Sequence, residues 1–156
     1  MTSKAKLLGC LKMLGIDPKL ETFTERKLLQ KLVYLLQVFG VKLGFDYDWY
    51  LHGPYSPSLT RTLYEIIELK QFPHEGLSSI EIARISKLKS FLGDDILSSD
   101  KLELLVSIHY IRERGGAAGA SEEEVRKVIQ KVKPYFSYKE IQDRWQKSIE
   151  LEKMLS

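Results

Sequence analysis

The sequence predicts a mainly α protein, a compact bundle of about seven helices with one short strand or β-hairpin near residues 45–55. Three observations carry this. Apolar residues recur at spacings of three and four along nearly every segment. Ser or Thr stands three residues ahead of Glu at 22/25, 78/81, 121/124 and 137/140, each time at the head of such a segment. The period drops to two over one stretch, residues 45–52.

The first helix is expected from about Ser3 to Leu14, with Leu7, Leu11 and Leu14 on one face, before Asp17-Pro18 interrupts the chain. Thr22 and Glu25 then form a capping box, in which hydroxyl and carboxylate each satisfy a backbone N–H that a helix start leaves free. The helix they open is expected to reach Leu43. It is apolar around most of its circumference, through Leu28, Leu29, Leu32, Val33, Leu35, Leu36 and Phe39, which puts it at the centre of the fold. From Phe45 to His52 apolar and polar residues alternate, as in a half-buried strand with Phe45, Tyr47, Trp49 and Leu51 inward. Gly53-Pro54 is expected to end that strand. Ser56 as N-cap and Pro57 in the first turn start a helix that buries Leu59, Leu63, Ile66 and Ile67, and Gln71-Phe72-Pro73 stops it.

Further helices follow from Ser78 to about Leu92 and from Ser98 or Ser99 to about Arg112. Another runs from Ser121 to Pro134, with Val125, Val128, Ile129 and Val132 as an apolar stripe, and the last begins at Ser137 with Ile141, Trp145 and Ile149 inward. Gly115–Ala120 is the one linker-like stretch. The two helices beyond it are too small to stand alone, so residues 1–156 are expected to form a single domain.

Composition removes several function classes. With 44% hydrophobic and 29% charged residues, the chain is neither disordered nor membrane-spanning in character. Its apolar runs, such as Leu102–Ile111, are short and broken by charge. Met1-Thr2-Ser3-Lys4 opens an amphipathic pattern rather than a cleavable leader. Cys10 is the only cysteine, which excludes an internal disulfide and a cysteine-based zinc site and points to the cytoplasm. The complete lack of asparagine points to a thermophilic source. Charge is uneven: residues 1–44 carry eight Lys or Arg against three Asp or Glu, and residues 45–78 carry two against five. Such a basic third steers an anionic partner, or is ordinary solvated helix surface.

Candidate sites each carry a plainer reading. Asp46, Asp48, Tyr50 and His52 share the strand's polar face, yet a metal would need ligands from elsewhere, so a solvated edge is expected and no metal or cofactor. Gly115–Ala120 precedes a helix start as a phosphate cradle would, but Glu122, Glu123 and Glu124 repel phosphate and the Lys of a P-loop is missing. His109 and Cys10 read as packed core residues. No Ser, His and Asp set stands out, so catalysis is not expected.

The last two helices, joined at Lys133–Ser137, have the outline of a helix-turn-helix. Lys139, Gln142, Arg144 and Lys147 are offset there by Glu140, Asp143 and Glu150, which favours a packed hairpin. Lys27, Gln30, Lys31, Tyr34 and Gln37 fall on one side of the second helix. This is either a recognition surface or the seat on which the strand and its Gly-Pro turn pack.

The run Lys31-Leu32-Val33-Tyr34-Leu35-Leu36-Gln37, followed by Trp49-Tyr50-Leu51-His52-Gly53-Pro54-Tyr55-Ser56-Pro57, resembles the SocA-like antitoxin domain, also called Panacea. The Gly-Pro-Tyr-Ser form is also similar to a YwgA-like group of uncharacterised prokaryotic proteins. The resemblance covers about residues 24–70, with His52 standing where the family often has an aromatic residue. It implies a mostly helical domain that neutralises a toxin by binding it, or hands a captured protein to another factor. Its motif positions here are Lys31, Tyr34, Gln37, Trp49, Gly53 and Pro54, the last three being structural.

The expectation is therefore a protein-binding module of antitoxin or adaptor type that captures a protein, a toxin under the resemblance, through Lys31, Tyr34, Gln37, His52 and Tyr55. The alternative is a nucleic-acid-binding regulator using the last two helices. No membrane partner is expected, and the oligomeric state is left open, a dimer included.

Overall fold

The computed structural model describes residues 3–68, 76–114 and 120–155. Along the chain run α1 (Ser3–Met13), α2 (Phe23–Val38), β1 (Asp48–Tyr50), β2 (Gly53–Tyr55), α3 (Pro57–Glu68), α4 (Ser79–Leu92), a 3-10 turn (Gly93–Leu97), α5 (Ser99–Arg114), α6 (Glu122–Val132) and α7 (Tyr138–Leu155). The protein is thus mainly α with one small antiparallel hairpin, as its periodicity predicts. The Gln71-Phe72-Pro73 stop and residues 115–119 of the Gly-rich stretch lie outside the described residues. No described helix is long and apolar enough to cross a membrane.

Helix starts follow the sequence closely. Thr22, Ser78 and Ser121 each accept from the N–H three residues on, while Glu25, Glu81 and Glu124 accept from the cap's own N–H. Ser137 and Glu140 exchange the same two bonds at the head of α7. Each cap stabilises its helix by about 1 kcal/mol.

Helix ends depart from it. α2 stops at Val38, five residues before the expected end. Gly40 takes φ +92, so the N–H groups of Gly40 and Val41 turn back onto the carbonyls of Gln37 and Leu36, each at 3.0 Å. This is a Schellman ending, with buried Val41 packed beyond it. The same bond pattern closes α1, from Gly15 to Lys12 and from Ile16 to Leu11.

The extended segment also differs from the expected single strand. Asp48 pairs with Tyr55, Trp49 with Pro54 and Tyr50 with Gly53, so Gly53-Pro54 begins a second strand instead of ending the first. Only Leu51 and His52 lie between the strands. That tight reversal breaks the alternation and turns Leu51 out to solvent, 82% exposed, where period two would bury it.

Two helices form the centre. α2 is buried without a break from Leu29 to Leu36, and α5 from Leu102 to Ile108, and they pack most extensively on each other. A main core gathers α1 to α4 and one side of α5, including Cys10, whose thiol burial pushes up to about 12. A smaller core joins Leu104, Ile108 and Ile111 to Val125 and Ile129 of α6 and Ile141 and Trp145 of α7. Val128 and Val132 are exposed, so the expected α6 stripe is buried along one edge alone. Burying a Leu- or Ile-sized side chain contributes roughly 1.5–3 kcal/mol, so these cores supply the bulk of the stability.

Candidate functional site

α5 sorts its buried residues by face. Leu102, Leu105 and Val106 belong to the main core, and Leu104 and Ile108 to the smaller one. Between them Glu103 and Ser107, four residues apart and therefore on one side, face the hairpin.

Glu103 is fully buried and accepts three hydrogen bonds. Its Oε1 accepts from Lys27 Nζ at 2.9 Å, and its Oε2 from Lys133 Nζ at 2.7 Å and Tyr135 OH at 2.5 Å. Burial alone would raise this carboxyl, but Lys133, Tyr135 and Lys27 together hold it below the usual range. Lys133 is equally buried, with its ammonium 5.4 Å from the Trp49 ring centre. Desolvation pulls Lys133 down despite its carboxylate partner. Lys27 also reaches Asp100 at 2.8 Å.

Lys31, one turn further along α2, is 2% exposed and has a different environment. Its Nζ donates to the Pro54 carbonyl at 2.6 Å, with no ion pair among the described residues. Burial pushes Lys31 down to about 7; Glu103 opposes that, and Lys133 and Lys27 add to it. A Cβ on Gly53 would lie 3.6 Å from both the Lys31 and Lys133 ammonium nitrogens and 2.6 Å from Ser107 Oγ. With φ at +88 as well, the position accepts glycine alone without rearrangement. Ser107 Oγ has no hydrogen-bond partner among the described residues.

The remaining polar residues of α2 hold the hairpin's approaches. Gln30 donates to the Ser56 carbonyl and accepts from the Ser56 N–H, both at 2.9 Å. Gln37 does the same for Phe45, at 3.0 and 2.8 Å. Each side-chain amide thus serves one backbone residue as a neighbouring strand would. Tyr34 is buried, bonded through OH to His109 Nδ1 at 2.7 Å and set edge-on to Tyr47, whose own hydroxyl donates to the Gln30 carbonyl at 2.8 Å. Burial holds His109 below its ordinary value, so it stays neutral in its slot.

Of the two arrangements open to this side of α2, the structure has the seat under the hairpin. Lys31, Tyr34 and Gln37 point under the hairpin instead of outward, because the segment from Phe45 to Ser56 packs across that side of α2.

In front of the hairpin lies a pocket of about 320 Å3. One wall is the first half of α2, from Phe23 to Lys31; the others are Tyr50–Gly53 with Tyr55, and Thr60 and Leu63 of α3. The rim is aromatic. Phe23 meets His52 edge-on with ring centres 4.7 Å apart, and Tyr50 meets Tyr55 at 5.2 Å. Burial lowers His52, and the ammoniums around it reinforce this over the opposing pull of Glu103. Of the expected site residues, the pocket brings together Lys31, His52 and Tyr55. Tyr34 and Gln37 do not line it. Trp49 packs on Tyr110; Gly53 lines the pocket, and Pro54, outside the lining, accepts from Lys31 through its carbonyl.

The sequence did not single out Glu103, Lys133, Tyr135 or Phe23. One signal existed, since Glu103 is a lone carboxylate within the apolar run 102–111. Asp46 and Asp48 are exposed, and no group of three or more potential metal ligands occurs among the described residues. In α7, Arg144 is buried and bonded to Asp95 and Asp143, and Lys147 lies over the Phe91 ring at 4.3 Å, so these two cations are engaged within the fold. Comparison with protein-family models, with curated proteins and with solved structures finds no match.

Proposed function

We propose that this domain captures a protein partner at its hairpin tip, without catalysis, in the manner of an antitoxin or adaptor. The observation that carries this is Leu51, 82% exposed on a two-residue turn whose flanks are fixed to α2 by Gln30, Lys31 and Gln37. A large apolar side chain held out on an immobilised support loses little entropy on binding. Phe23 and Tyr50 beside it, 48% and 45% exposed, extend the apolar contact. The partner that fits is a protein with an apolar cleft sized for Leu51 and flanked by hydrogen-bonding groups for Tyr50. The resemblance over residues 24–70 points the same way, and a toxin is the partner it implies. A cytoplasmic setting suits the lone thiol.

The test compares wild type with Leu51→Asp in a quantitative pull-down from nuclease-treated lysate. Leu51→Asp is expected to keep stability within about 0.5 kcal/mol, as surface changes do. A protein held by wild type and lost at least about tenfold by the variant supports capture at the tip. Identical retention by both removes it. Retention that disappears only with nuclease transfers weight to the nucleic-acid reading, whose affinity falls steeply with salt.

A further inference from the structure

We infer that the pocket in front of the hairpin is a binding site for a small apolar carboxylic acid, whose carboxylate meets Lys31 Nζ at the pocket's inner end. This site shares Phe23, Tyr50 and Leu51 with the proposed capture surface and adds a ligand beside Lys31.

Size and lining come first. About 320 Å3 lies at the low end of small-ligand sites, which run from about 300 to 1,000 Å3 and are apolar with few polar groups. Phe23, Tyr50, Leu51 and Leu63 supply the apolar surface. The charged residues of the lining are Arg26, Lys27 and Lys31, with no Asp or Glu among them.

These three cations are not equivalent. Arg26 donates to the Leu20 carbonyl, and Lys27 is held between Asp100 and Glu103. Lys31 has three donors and one acceptor, the Pro54 carbonyl. A buried ammonium with two N–H groups unmatched is unfavourable, and a carboxylate oxygen corrects both the missing bonds and the missing charge. Lys133 is spent on Glu103, and Glu103 on its three donors, so neither supplies the need.

The surroundings also predict how binding depends on pH. Lys31 faces Glu103 from α5, Lys133 from beyond α6, Lys27 on its own helix and His52 from the hairpin, and burial holds it near 7. An anion at Nζ favours the ammonium, so binding takes up a proton above neutrality. Affinity therefore falls as pH rises.

Phenylacetate and its neutral isostere phenylacetamide test this by isothermal titration calorimetry on the intact protein. Phenylacetate is expected to bind at least about tenfold more tightly than the amide, and about tenfold more weakly at pH 8.5 than at pH 6.5. Lys31→Met is expected to abolish the difference between acid and amide. Should that variant not fold, amide chemical shifts of the wild type decide. Movement at His52, Gly53 and Thr60 with α6 unmoved supports the site. Equal binding of acid and amide, shifts centred elsewhere, or no binding at millimolar concentration overturns it.

Discussion

Two buried lysines beside Gly53 are treated in opposite ways. Lys133 is paired with a carboxylate that also accepts from Lys27 and Tyr135. Lys31 donates to one carbonyl and is among the residues that line a pocket. Both ammoniums would lie 3.6 Å from the same missing Cβ. The difference separates structural charge from available charge. A carboxylate partner makes the Lys133 cluster part of the interior, whereas Lys31 has a carbonyl and no counter-charge bonded to it among the described residues.

The largest effect is expected where the Lys133 cluster is broken. Glu103→Gln leaves Lys133 and Lys27 without their shared counter-charge and should cost about 3–5 kcal/mol in urea unfolding. Acid should act on the same contact. Because the folded carboxyl lies below its usual value, its stabilisation is present above the unfolded pKa of about 4.3 and is lost as pH falls through the lower folded value. A variant that unfolds at the wild-type urea midpoint would mean the cluster contributes nothing net.

The next effect falls between the two lysines. Gly53→Ala places a methyl against Ser107 Oγ and demands positive φ, costing about 2–3 kcal/mol. In a Ser107→Ala background the clash shrinks and the backbone term of about 1 kcal/mol stays. Ser107→Ala alone should be close to neutral, since it removes a buried hydroxyl without a partner. Additive effects in the double variant would show that the two residues do not touch.

The smallest effect belongs to Lys31. Lys31 has a folded pKa near 7 against about 10.4 unfolded, so the unfolded chain holds more protons between those values and stability climbs with pH. The climb should be about 1 kcal/mol per pH unit from pH 7.5 to 9, and it should vanish in Lys31→Met. A flat wild-type profile would mean that Lys31 keeps its ordinary pKa in the folded protein.

Helix starts were legible because a capping box is a local device that needs two residues three apart. The end of α2 was equally local, at Gly40, but the unbroken apolar run through Val41 and Leu43 masked it. The hairpin was legible in place and not in register, since a two-residue reversal at Leu51-His52 overrides alternation. For the site, Lys31, His52 and Tyr55 could be named from one contiguous region. Glu103, Lys133 and Tyr135 could not, because they meet Lys27 only after α5 and the α6–α7 turn pack against the hairpin, and no spacing in the chain records that meeting.

Gln30 and Gln37 stand seven residues apart, about 10 Å along one rigid rod. They grip Ser56 and Phe45, so every residue between those two belongs to a bracketed cassette. Exchanging the tip at Leu51-His52 leaves both grips in place, so the tip can change without redesigning the interior. Removing one residue of α2 between the grips would rotate the second amide by about 100° and release Phe45. Lineages that vary this region are therefore expected to vary the tip freely while holding the length of the rod fixed.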